Sequence, residues 1–309
     1  MTNTKALGVF FEDYRESFWN YMRDKKYNSD NLLHGASNMG MYAMPLSDKS
    51  PFKSALKEHS LFRGLANVFA MKYDGRYITV QDCSDWANWL DENESVPLKD
   101  GVADFTEHPF GMHKLGALCK LPETFVLDAK FNIEKNVSVR LAKSFAKAET
   151  YAFTVGDGVK MPKGILNDED GAEVGNLTKA ITCDDVIKLY FSVKPEYRKN
   201  GVWMMNDETA LTLRTLKDAD GNYVWNHSTD TILGKKVVIN EYMPMVSVGA
   251  KPIAFGDFSY YSIIERANTT VKVIKEVLPK IDDIGYLAFE FLDAKLMRPE
   301  AIKVLQITK

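Results

Sequence analysis

Pro122-Glu-Thr-Phe-Val-Leu-Asp-Ala-Lys-Phe-Asn-Ile-Glu-Lys-Asn-Val-Ser-Val-Arg-Leu-Ala-Lys-Ser-Phe-Ala-Lys-Ala-Glu-Thr-Tyr-Ala-Phe-Thr-Val-Gly-Asp-Gly158 carries the strongest helical signal in the chain. Within it Phe125, Ala129, Ile133, Val137, Leu141, Phe145, Ala148 and Ala152 recur at steps of four or three, the repeat that lines one face of a helix with apolar side chains. Asn132 is placed to cap the main part, after a short leading turn, and Gly156 and Gly158 end it. From Ile133 to Thr154 the pattern predicts a rod of ~33 Å at about 1.5 Å per residue. The other side carries Lys130, Lys135, Arg140, Lys143 and Lys147. Such a row is either a solvated face or a surface for an acidic partner.

Upstream of the helix, Met71 to Phe110 has no helical period and is lopsided in charge. Between Asp82 and Glu107, the carboxylates Asp82, Asp85, Asp91, Glu92, Glu94, Asp100, Asp104 and Glu107 are opposed only by Lys99. Tyr77, Ile78, Val80, Trp86 and Trp89 favour β structure, and Pro97 with Gly101 supplies a turn, which predicts a long projecting hairpin. Loops this long are uncommon in compact domains unless they serve a function. The segment therefore reads as an extension reaching another domain, and the basic helix of a second copy is a surface it could meet. Nearer the start, Phe11, Tyr14, Phe18 and Met22 mark an amphipathic helix over Phe10 to Met22, followed by a polar stretch from Lys25 to Asn38. This helix is either an arm or a terminal helix folded onto its own domain.

Beyond Gly164 helices and strands mix. Helices are predicted at Asp184 to Tyr197 and, opened by Asn206 or Asp207, at Asp207 to Leu216. Strands are predicted at Val202 to Met205, Lys235 to Ile239, Ile253 to Phe255, Tyr260 to Arg266, Val271 to Ile274, Tyr286 to Leu296 and Ala301 to Ile307. The two kinds of element are segregated rather than strictly alternating, so the fold class is α+β.

With 309 residues, 45% of them hydrophobic, and a net charge of -3, the chain is an ordinary folded protein of one large or two modest domains. The balance of 39 Lys+Arg against 42 Asp+Glu excludes a globally basic nucleic-acid wrapper. Cys83, Cys119 and Cys183 are odd in number and far apart, which argues against a disulfide framework and for small buried hydrophobes. Neither a leader at Met1 to Gly8 nor a membrane span of ~20 apolar residues is visible.

The sequence shows no catalytic constellation. Gly156-Asp-Gly-Val-Lys-Met161 has Met161 where a dinucleotide fingerprint needs its third glycine, and it follows a helix instead of a strand. His34, His59, His108, His113 and His227 form no zinc-ligand spacing, and His108 and His113 fall on opposite faces of an extended segment. No catalytic residue, metal site or cofactor is expected, which shifts the weight towards assembly.

Taken together, these segments resemble the major capsid protein of tailed bacteriophages, the Hong Kong 97-like family. Trp86-Ala-Asn-Trp89 with Glu92 and Glu94, then Lys114 to Glu123, is similar to the family's extended loop and the strand that follows. Ala152-Phe-Thr-Val-Gly-Asp-Gly158 with Met161-Pro-Lys-Gly-Ile-Leu166 is similar to its helix end and glycine signature. Trp203 to Asn206, Leu213 to Asp218, Gly221 to Trp225, Leu233 to Val237, Met243-Pro244, Phe255-Gly-Asp-Phe258 and Arg298 to Ile302 follow in the family's order. The resemblance runs from about Leu61 to Val304.

The resemblance implies a long spine helix, an extended β-hairpin loop and a chain divided among peripheral and axial domains. Residues 1–45 would be an N-terminal arm, 46–70 the first part of the peripheral domain and 71–112 the extended loop. The peripheral domain would resume over 113–169 with the spine helix, 170–283 would be the axial domain, and 284–309 the closing peripheral strands. Copies of the chain would form pentamers and hexamers and close an icosahedral shell around double-stranded DNA, held without sequence-specific binding. A scaffold protein, a portal and a maturation protease are the implied partners, with no membrane. Assembly would take place in the bacterial host cytoplasm and end in the virion capsid. Contacts between subunits are expected at Trp86, Trp89, Asp91, Glu92, Glu94 and Lys99 on the loop and at Lys135, Arg140, Lys143 and Lys147 on the helix. Some members weld the shell with a Lys–Asn isopeptide bond assisted by a Glu. Here Lys99 and Glu290 match two of those parts, but Ile281-Asp-Asp-Ile284 offers no Asn, so no such bond is expected. The competing readings are an encapsulin-type compartment shell and a soluble enzyme with an unrecognised site.

Overall fold

The computed structural model describes the chain except for residues 1–2, 24, 34–35, 37–40, 46–49, 72–74, 81–104, 129, 218–220, 222, 224, 227 and 275–282. It opens with helix α1 (Asn3–Met22), the short α2 (Ser29–Leu33), the two-residue strand β1 (Tyr42–Ala43) and α3 (Pro51–His59). Ser50 caps α3 by accepting from Lys53 N, with Pro51 at the first helical position, where its missing N–H costs nothing. Strands β2 (Asn67–Met71), β3 (Gly75–Val80), β4 (Phe105–Phe110) and β5 (His113–Pro122) lead to α4 (Glu123–Leu127) and the long α5 (Ile133–Val155). The helix reads as its stripe requires: Ile133, Val137, Leu141, Ala142, Phe145 and Ala146 are buried, and Asn132 accepts from Lys135 N at 3.0 Å. Phe125 departs from the stripe, because it belongs to the separate α4; it is 52% exposed and stacks on Phe131 at 5.6 Å.

The glycine signature after α5 has a mechanical reason. A helix leaves its last carbonyls without intrahelical donors. Here the chain folds back so that Ile165 N donates to Phe153 O at 2.8 Å and Leu166 N to Thr154 O at 3.0 Å. That return brings backbone against backbone: a Cβ on Gly164 would lie 2.5 Å from Gly156 N and 2.6 Å from Thr154 C, and one on Gly156 would collide with Pro162 O. Gly164→Ala is therefore expected to destabilise the subunit by about 1–3 kcal/mol or more, as overpacking against unyielding atoms does. Chemical denaturation checks this, and an unchanged midpoint would count against the fold-back.

The second half holds β6 (Glu173–Thr178), α6 (Cys183–Ser192), α7 (Pro195–Arg198), β7 (Val202–Met205) and α8 (Asp207–Thr215). Then come β8 (Trp225–Asn226), β9 (Thr231–Ile232), β10 (Lys235–Ile239), β11 (Ile253–Gly256), β12 (Tyr261–Ile274), β13 (Asp283–Leu296) and β14 (Ile302–Ile307). Two expectations are corrected. The helix predicted over Asp184 to Tyr197 breaks at Val193, because Pro195 lacks an N–H and pushes Lys194 to extended backbone (φ −59°, ψ 149°). The strands predicted at Tyr260 to Arg266 and Val271 to Ile274 are one strand, β12, with an irregularity between Arg266 and Thr270.

The strands form two main sheets. One runs β1-β12-β13-β5, with β2 parallel to β12; the other runs β6-β14-β11-β7-β10-β9-β8. A separate pair, β3 and β4, is antiparallel from Gly75 opposite Phe110 to Val80 opposite Phe105. The strand β12 pairs with β13 in the first sheet, and the closing β14 pairs with β11 in the second. One core packs α1, α3 and α5 on the first sheet, around Phe18, Phe52, Leu141, Phe145 and Tyr286. Another lies under the end of α5, around Phe62, Phe153, Ile165 and Tyr261. A third packs α6 and α8 on the second sheet, around Leu189, Leu213, Phe255 and Trp203, whose indole donates to Ile232 O at 3.0 Å.

Candidate assembly surfaces

The long helix is bolted to the first sheet by ions. Arg63, in a turn just after α3, donates from Nε to Glu149 Oε2 at 2.8 Å, from Nη2 to Glu290 Oε1 at 3.1 Å and from Nη1 to Glu265. Ser60 adds a donor to Glu149 at 3.0 Å. One guanidinium thus faces three carboxylates from α5, β12 and β13, and the side chains of Arg63, Glu149 and Glu290 are 8%, 0% and 5% exposed. Burial lowers the Arg63 pKa, but the carboxylates of Glu149, Glu290 and Glu265 outweigh it and raise it well above the ordinary value. Burial and then the Glu149 charge push the Glu290 carboxyl up to about 8, against the pull of Arg63. Its Oε2 has no hydrogen-bond partner among the described residues, consistent with a carboxyl that keeps its proton.

Away from this joint, Lys135, Arg140, Lys143 and Lys147 are all exposed on α5. None of the four has a carboxylate within ion-pair distance among the described residues; Arg140 instead donates to Lys120 O at 3.5 Å. Lys143 and Lys147 border a groove of about 460 Å³ with His59, Glu241 and Tyr242, a neighbourhood that helical spacing alone does not show. The expected contacts Trp86, Trp89, Asp91, Glu92, Glu94 and Lys99 lie outside the described residues. Glu290, matched above to an assisting role in crosslinking, is held in the Arg63 cluster.

The root of the β3–β4 extension is anchored, however. Asp293 accepts from Gly111 N at 2.9 Å, Lys295 Nζ donates to Pro109 O at 2.7 Å, and Phe110 packs with Ile264 and Met297. At the other end of the same sheet, α1 lies on the subunit's own core. Phe18 and Met22 are buried, Tyr286 OH donates to Met22 O at 3.0 Å, and Arg23 donates to Phe131 O at 2.6 Å. No helix among the described residues is long and apolar enough to cross a membrane. No group of three or more His, Cys, Asp or Glu among them is arranged to hold a metal ion.

Residues 41–307 match the phage capsid family. Among solved structures the chain is similar to the capsid of an empty GTA particle computed with C5 symmetry, at 27% identity over 81% of this chain and 90% of that one, with a TM-score of 0.65. The capsid of the native GTA particle is similar at 26% identity over 81% and 91%, with a TM-score of 0.62. A Microbacterium phage Oxtober96 structure shares the fold at 15% identity over 91% and 99%, with a TM-score of 0.56. No curated protein matches the chain. Neither the encapsulin-type compartment nor the soluble enzyme is favoured by these matches. The match spans α5, the glycine fold-back after it and both main sheets, so the chain belongs to the phage capsid family and is a structural subunit of a capsid shell.

Proposed function

We propose that identical copies of this chain form pentamers and hexamers that close an icosahedral shell around double-stranded DNA. Residues 71–112 of one copy lie across the basic face of α5 in a neighbour. In this reading residues 1–45 are the arm, 46–70, 113–169 and 284–309 the peripheral domain, and 170–283 the axial domain around each ring. The observation that carries it is the row Lys135, Arg140, Lys143 and Lys147, exposed and without carboxylate partners among the described residues. The same chain holds an acidic run from Asp82 to Glu107 with Lys99 as its one Lys or Arg. Charge of opposite sign on two surfaces of one chain favours contact between copies. DNA is confined rather than read, which a chain of net charge -3 can do without a strongly basic lining. Assembly proceeds in the host cytoplasm with a scaffold, a portal and a maturation protease.

Reversing both Lys143 and Lys147 to Glu tests the contact. Exposed pairs contribute roughly 0.2–1 kcal/mol each, repeated in every copy, so shell yield is expected to fall steeply at low salt. The deficit should narrow at ~1 M salt, where charges are screened beyond about 3 Å. Yields equal to those of the unaltered chain at low salt, scored by negative-stain microscopy, would remove this face from the assembly contact.

A further inference from the structure

We infer that the second sheet carries both halves of a head-to-tail contact between copies: a groove at its β8 end receives an aromatic knob from the β6 end of the next copy. This rests on the reading of the chain as a shell subunit and deepens it by naming the residues that meet around a ring.

The groove, of about 750 Å³, runs between α8, the end of β10 and the segment after it. Three apolar side chains in it have no cover: Leu211 is 64% exposed, Met245 63% and Ile239 40%. Its one cation is already neutralised, since Arg214 pairs with Asp230 and lies 4.9 Å from the Trp225 ring centre. The carboxylates of Asp207, Glu208 and Glu241 on its rim are exposed and have no cation partner among the described residues. The groove is therefore apolar at its floor and negative at its edge.

The knob has the opposite character. On α6, Phe191 is 64% exposed and Ile187, one turn earlier, 37%. The Arg198 guanidinium lies 4.9 Å from the Phe191 ring centre and pairs with no carboxylate among the described residues. Lys188 on the same helix is 65% exposed, with Asp185 at 3.9 Å. An uncovered aromatic beside an arginine is the composition that anchors interface centres, and its charge complements the groove rim.

One copy cannot bring the two surfaces together. α6 packs on β6 and β14 and α8 on β8, and those strands stand at opposite ends of the order β6-β14-β11-β7-β10-β9-β8. At about 4.8 Å per strand the ends are ~29 Å apart. A contact of unlike surfaces is heterologous, and repeated it closes a ring when the rotation allows. A second copy is thus the occupant that supplies the matching apolar and basic chemistry at the matching place.

The test uses the full chain as Phe191→Asp and Leu211→Asp, both at exposed positions, so each should keep the far-UV circular dichroism of the unaltered protein. By analytical ultracentrifugation the unaltered chain is expected to form rings or shells. Each variant alone should stay monomeric, with self-association weakened by at least about 30-fold, the size of a hot-spot loss. An equimolar mixture should form heterodimers, because Leu211→Asp keeps the knob and Phe191→Asp keeps the groove. Either variant assembling like the unaltered chain overturns the contact while leaving the shell reading intact, as does a groove that serves some other protein. A mixture without heterodimers overturns it too, by pointing to like surfaces meeting. An unaltered chain that never oligomerises overturns this contact and the shell reading together.

Discussion

Replacing Arg63 with Met is expected to cost about 3–5 kcal/mol of folding stability, the loss seen when one partner of a buried ion pair is removed and the other charge is left behind. The cause is arithmetic of charge. Arg63 is the one cation that touches Glu149, Glu265 and Glu290 among the described residues, and the Glu149 side chain is fully buried. Without it, the Glu149 carboxylate would be left buried on α5 with no cation to face it among the described residues. Adding Glu149→Gln to the variant should restore part of the loss, because a neutral amide no longer needs the guanidinium. Urea denaturation at neutral pH measures both, and a loss below about 1 kcal/mol for Arg63→Met would mean that packing alone joins helix and sheet. Since this joint ties α5 to the first sheet, the variant should also fail to assemble.

Glu290→Gln should change how stability depends on pH. The carboxyl has an ordinary value of 4.5 and is pushed up to about 8 in the folded subunit, by burial first and the Glu149 charge second. Between these values the folded chain binds a proton that the unfolded chain has already released. Stability from this group is therefore fully present below about pH 4.5 and declines as pH rises to about 8. At about 1.4 kcal/mol per pKa unit, the decline is on the order of 5 kcal/mol. A Gln side chain stays neutral and can donate to the neighbouring carboxylates, so the variant should lose this part of the slope and exceed the unaltered chain in melting temperature above pH 8. Parallel stability curves for the two chains from pH 5 to 9 would show that Glu290 is ionised throughout.

Local features of the fold could be read without the structure because their causes are local. Asn132 and Gly156 bound α5 since a cap and a stop each act over a few residues, and the four-residue stripe needs only the helical repeat. Asn206 opens α8 for the same reason. The break before Pro195 also has a local cause, but its apolar neighbours Val193 and Tyr197 continue the helical spacing and mask it. β6 carried little signal, because Gly175 and Asn176 are poor strand formers, and its partner β14 lies more than 100 residues away in the chain. The long β12 looked like two strands because Ala267 and Asn268 interrupt its β-branched residues where the register shifts.

Among the candidate contact residues, exposure of Lys135, Arg140, Lys143 and Lys147 followed from their place opposite the apolar stripe. The grouping of Lys143 and Lys147 with His59 and Glu241 did not, since those come from α3 and the segment after β10. The amino-acid order was thus sufficient for the helix, its caps, its two unlike faces and, through ordered motifs, the capsid family. Tertiary structure alone decided which distant charges meet. Arg63 lies 86 residues from Glu149 and 227 from Glu290, and nothing in local spacing selects those partners. It also placed α6 and α8 at opposite ends of one sheet. Strand order is set by pairing across the whole chain, and a residue's periodicity reports the face it occupies but never the neighbour it finds there.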